Sequence, residues 1–403
     1  MKRMLSIRFL FAVVLWVSFP FYAMPQSQDV IAEQEDLQWK KSLTDSLNVL
    51  LQNELFTTSQ LGLCVYDLTA DSMLFAHQKR QRMRPASTQK LLTAIAALSE
   101  LGADYSFATR LYISGKVNKG TLRGNVYVIG GFDPTFGRAE MRQLVDALLA
   151  RGIKSVSGTL YADVSMKDTL KWGLGWCWDD KNPVLTPLLY GGKDVFLSKL
   201  TQVMKEKGIR WNKIGKEKCP SDAILIKTVS TPIRTVLDRM MKESDNLYAE
   251  SVFYALAAKD GQPQASRKDA LYVIERLIGN MGYEPAKYKV ADGSGLSLYN
   301  YLTPELETAL LRYAYKHQAV YVPLYESLPV AGVDGTLKNR MKETPAFANV
   351  RGKTGTLTGV YSLAGYATAS NGHQLAFCII NQGVESASEA RDFQDKVCIL
   401  LCK

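Results

Sequence analysis

Leu91, Leu92, Ala94, Ile95, Ala96, Ala97, Leu98 and Leu101 leave hardly any polar side to the stretch 88–101, and Gly102 follows it. A helix that is apolar all round lies inside a domain, and glycine is a natural stop at its C-terminal end. Upstream, residues 29–54 read as a helix polar on one side, and LGLCVYDL (61–68) reads as a strand. From about Leu111 the texture changes. The short strand-like segments RLYISG, NVYVIGG and GTLYADV are punctuated by glycines and by a helix-like segment at 139–151. From Val229 the pattern is helical again, with a further helical block over 268–281. YSLAGYATA (361–369) and QLAFCIIN (374–381) read as late strands separated by the turn Asn371-Gly372, and a last helix covers 388–401. The pattern therefore predicts a helical block between early and late strands, interrupted by a small α/β module.

Composition narrows the class. With 403 residues, 47% hydrophobic and 22% charged, the chain is that of an ordinary globular protein, which excludes a disordered, collagenous or repeat protein. Lys2, Arg3 and Arg8 precede and flank a short apolar run, 9–17 (FLFAVVLWV), broken by Pro20. That run is too short for a comfortable membrane span and reads as an export signal covering residues 1–23, so a periplasmic protein is expected; an uncleaved anchor is the alternative. Removing those residues takes three positive charges from the formal +10 and leaves about +7. A mildly basic exported protein favours anionic surfaces, which leaves peripheral membrane or cell-wall association open. Lys205, Lys207, Lys213, Lys216 and Lys218 read first as a solvated face, and no nucleic-acid motif accompanies them. Of six cysteines, Cys64 and Cys378 lie in apolar, strand-like segments and read as buried free thiols. Cys398 and Cys402 have neither the partners nor a neighbouring histidine that a metal site requires, so no metal and no cofactor are expected.

Candidate chemistry starts at RPASTQKLL. Ser87 and Lys90 are three residues apart at a helix start, so their side chains share one face, about 5–6 Å apart at the β-carbons. Pro85 suits the approach to that start. The unpaired amides and the positive dipole end there disfavour an ammonium ion and lower the pKa of Lys90. A neutral lysine takes the serine proton, which makes Ser87 a nucleophile without histidine. His77, His317 and His373 fall in no triad pattern. By itself the spacing arises easily by chance, as a capping serine beside a solvated lysine. Ser244-Asp245-Asn246 and Lys353-Thr354-Gly355 follow it in that order, and three such matches in sequence are improbable by chance. Gly352-Lys353-Thr354 is no phosphate loop, because Phe347 stands where glycine is required.

Ser-x-x-Lys, Ser-Asp-Asn and Lys-Thr-Gly together are the motif set of penicillin-binding proteins and serine β-lactamases. MKESDNLYAESVF, ADGSGLSLYNYLTP, SLPVAGVDGTLKNRM, GKTGTLTGVYSLAGYA, VIGGFDPTFG and GWCWDDK extend the likeness. The chain resembles the penicillin-binding protein 4 type of D-alanyl-D-alanine carboxypeptidase/endopeptidase from about Leu61 to its end. The resemblance implies an α/β (α+β) fold of the β-lactamase/transpeptidase type, with an antiparallel sheet and an all-helical subdomain. The peptidase domain would comprise residues 28–110 and 228–403, with a small α/β domain inserted at 111–227. It implies that Ser87 is acylated by the penultimate D-alanine of a peptidoglycan stem peptide, with Lys90 as general base and Ser244 relaying a proton to the leaving group. Asn246 would hold a substrate amide, and Lys353, Thr354 and Thr356, with Gly355 leaving room for substrate backbone, would bind the terminal carboxylate. The amides of Ser87 and Thr356 would form the oxyanion hole. β-Lactam antibiotics would then be covalent inhibitors.

Ser244 also suits a helix cap. Asp133, in GGFDPT, reads as turn chemistry in preference to a contact for a cationic stem-peptide side chain. A serine β-lactamase shares the acylation machinery, but no Glu-x-x-Leu-Asn segment supplies a deacylating base between Ser244 and Lys353. A penicillin-recognising sensor or wall-binding module without turnover is the reading from another class, and intact Ser87, Lys90 and Ser244 oppose it.

Overall fold

The computed structural model describes residues 28–178, 182–258 and 264–403. The expected export signal, residues 1–23, and residues 179–181 of the GWCWDDK segment lie outside the described residues. Helix α1 (Gln28–Leu50) precedes strands β1 (Gln60–Asp67) and β2 (Ser72–His77). A short 3-10 turn at Ala86–Thr88 then leads into helix α2 (Gln89–Glu100). Every residue of α2 from Gln89 to Leu98 is buried, as its all-round apolar pattern predicts. Gly102, just beyond its end, takes the left-handed backbone that stops the helix (φ +83°).

The next segment builds a second sheet. Strands β3 (Ser106–Ile113), β4 (Lys116–Asn118), β5 (Thr121–Arg123) and β6 (Val126–Ile129) lead to helix α3 (Arg138–Ala150), then β7 (Ser155–Asp163), helix α4 (Phe196–Glu206), β8 (Arg210–Lys216) and β9 (Ile224–Pro232). The order is β4-β5-β7-β6-β3-β9, with β8 also on β7, and β7 runs parallel to β5, β6 and β8. It has a core of its own, including Leu111, Val128, Leu144, Leu160 and Leu200. Its outer bounds differ from 111–227, because β3 and β9 pair over their whole length, from Ser106↔Pro232 to Ile113↔Ile224. The residues from Val229 to Pro232, which read as helical, therefore continue a strand.

Helices α5 (Ile233–Lys242), α6 (Asn246–Ala257), α7 (Arg267–Asn280), α8 (Pro304–Lys316) and α9 (Gln318–Ser327) form the helical block. Strands β10 (Arg351–Leu357), β11 (Val360–Thr368) and β12 (Gln374–Gln382) and helix α10 (Ala387–Leu401) follow. They complete an antiparallel five-stranded sheet of order β10-β11-β12-β1-β2. The late and early strands meet at β12 and β1, where Cys64 lies directly opposite Cys378. Both are buried free thiols, and the other four cysteines are free as well. The main core joins α2, the helical block and the inner strands. No helix among the described residues is long and apolar enough to cross a membrane.

Candidate active site

Three elements bring the predicted side chains together. Ser87 lies in the 3-10 turn, and Lys90 is the second residue of α2. The residue before the serine, Ala86, has φ +51°, a conformation that costs a non-glycine residue on the order of 1–3 kcal/mol. That kink lifts Ser87, half-buried, out of a turn whose neighbours Ala86 and Thr88 are buried.

Lys90 is fully buried, and its Nζ contacts the Ser87 Oγ at 2.9 Å, the Asn246 Oδ1 at 2.7 Å and the Ser294 carbonyl at 2.8 Å. As an ammonium it donates to all three. As a neutral amine it has two N–H groups and one lone pair. The amide oxygen of Asn246 and the carbonyl of Ser294 can only accept, so they take the two N–H groups and the lone pair is left for the Ser87 proton. Burial is the leading cause of a pKa lowered to about 8, opposed by Asp292, Glu250 and Asp245. The helix end, expected from sequence to lower it, is therefore not the main cause; desolvation is.

Ser244 lies in the turn between α5 and α6, itself at φ +59°. It does not cap α6. Asp245 does so, accepting from the Leu247 amide at 3.0 Å, and Arg239 holds Asp245 at 3.1 Å while lying over the Tyr248 ring. Ser244 is thereby left to face Lys353, whose Nζ donates to its Oγ at 2.8 Å and to the Thr354 carbonyl at 2.7 Å. Lys353 is fully buried, and its pKa is held well below that of a free lysine, first by desolvation and then by the charge of Lys90. The two Ser–Lys pairs thus share one electrostatic site.

Strand β10 brings in the rest. Gly355 leaves room for the backbone of the serine's own turn, rather than for substrate alone, and the Ser362 hydroxyl of the adjacent strand donates to the Pro85 carbonyl at 2.6 Å. From the opposite side Gly295 (φ +80°) lies against Ala86, and a β-carbon there would collide with the Ala86 carbonyl oxygen. Thr354 donates to the Thr336 hydroxyl at 2.8 Å, and both line a cleft of about 460 Å³ with Thr356 and Arg340. Asp133 is not in this group. It is buried and accepts from the Thr135 amide and hydroxyl and from the Thr231 hydroxyl, so the turn reading of GGFDPT fits.

Sequence reasoning missed the loop 291–300 as part of the site. Its Ser294 supplies a backbone acceptor, which leaves no side-chain signal. Glu250, fully buried on α6, takes the Gly293 and Ser294 amides at 3.0 and 2.9 Å on one oxygen. Burial and the neighbouring Asp292 push its carboxyl up to about 8. Its signal was present: it is the single ionisable carboxylate in NLYAESVFYALA, a helix with no polar face. Asp292 is held by the amides of Gly295 and Ser297, by Asn300, and by Trp176 from the second-sheet segment. Among the described residues no group of three or more His, Cys, Asp or Glu is placed to hold a metal ion.

Residues 43–188 and 191–402 match the family described as D-Ala-D-Ala carboxypeptidase 3 (S13). The chain is 28% identical to D-alanyl-D-alanine carboxypeptidase DacB of Haemophilus influenzae, over 81% of this chain and 86% of that protein. It is 30% identical to carboxypeptidase DacB of Mycolicibacterium smegmatis, over 79% of this chain and 75% of that protein. Penicillin binding protein 4 (dacB) from Haemophilus influenzae has a solved structure similar to this one, with a TM-score of 0.78 at 25% identity over 90% of this chain and 99% of that chain. The same protein complexed with a β-lactam gives a TM-score of 0.73.

Proposed function

The chain belongs to the D-Ala-D-Ala carboxypeptidase 3 (S13) family, and from that premise we propose that Ser87 is the residue that a peptidoglycan stem peptide acylates. The protein is a serine D-alanyl-D-alanine carboxypeptidase that recognises penicillins. Neutral Lys90 takes the Ser87 proton as Oγ attacks the carbonyl carbon of the penultimate D-alanine. The amides of Ser87 and Thr356 receive the developing oxyanion. The C–N bond breaks, and the departing amine of the terminal D-alanine takes a proton through Ser244, polarised by Lys353. Asn246 orients the substrate amide, and Lys353, Thr354 and Thr356 hold the terminal carboxylate, with Gly355 keeping the strand close. Water then attacks the ester and frees Ser87. Where the leaving amine belongs to a neighbouring stem, the same steps cut a cross-link, which makes the enzyme an endopeptidase as well.

The observation that carries this reading is the pair of contacts Lys90–Ser87 (2.9 Å) and Lys353–Ser244 (2.8 Å) between side chains that are both removed from water on the lysine side. A β-lactam presents the same acyl group and terminal carboxylate, so it acylates Ser87 and remains as an ester. Export to the periplasm, with residues 1–23 as leader, and loose association of the basic mature chain with the membrane or wall belong to the same proposal, since stem peptides lie outside the cytoplasm. Mass spectrometry of muropeptides incubated with the purified protein is the test. Loss of one alanine reports carboxypeptidase action, conversion of cross-linked dimers to monomers reports endopeptidase action, and Ser87→Ala abolishes both. Turnover that survives in Ser87→Ala overturns the assignment.

A further inference from the structure

Beneath the nucleophile's turn lies a carboxyl group that the acylation steps do not use. Glu307, on α8, is fully buried, and among the described residues its side chain meets Thr88 and Cys378 and no Lys or Arg. Its Oε1 is 2.8 Å from the Thr88 hydroxyl and its Oε2 is 3.2 Å from the Cys378 thiol. The Thr88 hydroxyl is also 2.7 Å from the Pro85 carbonyl oxygen, two residues before Ser87. A hydroxyl has one proton to donate, yet Thr88 lies between two acceptors at hydrogen-bond distance. One of those contacts needs a proton from elsewhere. The Pro85 carbonyl has none to give, so the proton comes from Glu307.

We propose that Glu307 is a positioning residue that works as a neutral carboxylic acid, donating to Thr88 so that Thr88 in turn donates to the Pro85 carbonyl and holds the Ser87 turn. This rests on the assignment of Ser87 above. The three donors then run in one direction: the Cys378 thiol to Glu307, Glu307 to Thr88, and Thr88 to Pro85. Each acceptor is satisfied and no charge is buried. Ionisation of Glu307 reverses the middle link. Thr88 must then turn its proton to the carboxylate, and the strained turn at Ala86 loses one of its ties, with the Ser362 bond and the long Thr88 amide contact (3.4 Å) left on the Pro85 carbonyl.

The surroundings favour the acid form. From the turn Glu307 is faced by Thr88. From β12 it is faced by Cys378, a thiol that burial and Glu307 itself keep protonated. Cys64 of β1 lies opposite Cys378. On its own helix, Glu305 is engaged with Lys79 and Arg80. Burial raises the Glu307 carboxyl to about 7, with only the Thr88 and Cys378 bonds opposing. A folded-state pKa above the unfolded value of 4.5 means that the stabilisation is full below pH 4.5 and is lost as pH rises through about 7.

The test compares the full chain with Glu307→Gln and Glu307→Leu. It uses acylation rates with a fluorescent penicillin between pH 6 and 9 and thermal midpoints at pH 5 and 8. The glutamine side chain donates to Thr88 and accepts from Cys378 at every pH. Glu307→Gln is expected to acylate at the wild-type rate at pH 6, and its rate relative to wild type is expected to climb with pH. The wild-type midpoint is expected to fall between pH 5 and 8 by an amount that Glu307→Gln does not show. Glu307→Leu is expected to acylate more slowly throughout; if it does not fold, the glutamine comparison alone decides. A Glu307→Gln protein as slow as the leucine variant at pH 6, or one whose midpoint follows the wild-type pH dependence, overturns the proposal. Labelling that persists in Ser87→Ala would instead overturn the serine assignment, while the pH dependence of the midpoint still reads out Glu307.

Discussion

A β-carbon on Gly355 would lie 2.9 Å from the amide nitrogen of Ser87, closer than real contacts allow, and would also press on the Pro85 carbonyl oxygen and the Ser362 hydroxyl. Strand β10 and the nucleophile's turn are therefore set at a spacing that only glycine permits. Gly355→Ala is expected to displace the turn while leaving the sheet folded, because Gly355 does not need a left-handed backbone. A displacement of about 1 Å costs on the order of 10²-fold in rate. Fluorescent-penicillin labelling kinetics should show that loss, with overpacking lowering stability by about 1–3 kcal/mol. A fully active Gly355→Ala protein would show that the approach of β10 to Ser87 does not matter.

Lys90 makes the pH dependence of acylation specific. On the proposed mechanism the reacting form is the neutral amine, and its pKa is lowered to about 8, chiefly by burial. Below that pH the neutral fraction, and with it the rate, falls by about tenfold per pH unit. Acylation should therefore rise from pH 6 toward 8, most steeply in Glu307→Gln, where no ionisation at position 307 opposes the rise. Lys90→Arg, charged at every pH, should be inactive across the range. Stopped-flow or gel-based labelling at fixed ionic strength checks both. A flat profile in Glu307→Gln would mean that Lys90 is not the base.

The apolar run from Leu91 to Leu98 was legible because burial on all sides leaves a sequence with no polar face, and α2 is buried throughout. The three motifs were legible because Ser87, Lys90, Ser244, Asn246 and Lys353 meet through their side chains. Ser294 meets Lys90 through its carbonyl, which any residue supplies. Glu307 sits in PELETALLRYAYK, where Glu305 does meet surface cations, and nothing in a local pattern separates the buried acid from the solvated one. The strand from Val229 to Pro232 was hidden because its partner, β3, lies over a hundred residues upstream; long-range pairing overrode the local helical pattern.

Asp245 links stability to positioning. It caps α6 through Leu247 and is itself held by Arg239, and the next residue, Asn246, contacts Lys90. Asp245→Ala should destabilise the fold by about 1 kcal/mol, the usual cost of a lost cap. It should also slow acylation, because Asn246 loses its anchor. Asp245→Asn keeps an acceptor for the Leu247 amide and should recover most of the stability. Urea denaturation midpoints, paired with labelling rates on the same samples, test whether the two effects move together.

Ser244 combines a chemical role with a backbone cost, and two substitutions separate them. At φ +59° an alanine keeps the strain of a left-handed residue while losing the hydroxyl, whereas a glycine loses the hydroxyl and relieves about 1 kcal/mol of strain. Either change removes the Ser244 partner of the buried Lys353 Nζ, which then keeps only the Thr354 carbonyl of its two contacts. Ser244→Gly should therefore be more stable than Ser244→Ala by about 1 kcal/mol, while the two lose the same amount of activity, because the relayed proton needs the hydroxyl and not the turn. If Ser244→Gly were as active as wild type, the turn geometry alone would suffice and the proton would reach the leaving amine by another route. If Ser244→Gly were much less active than Ser244→Ala, the rigid left-handed turn, rather than the hydroxyl, would be what the site requires.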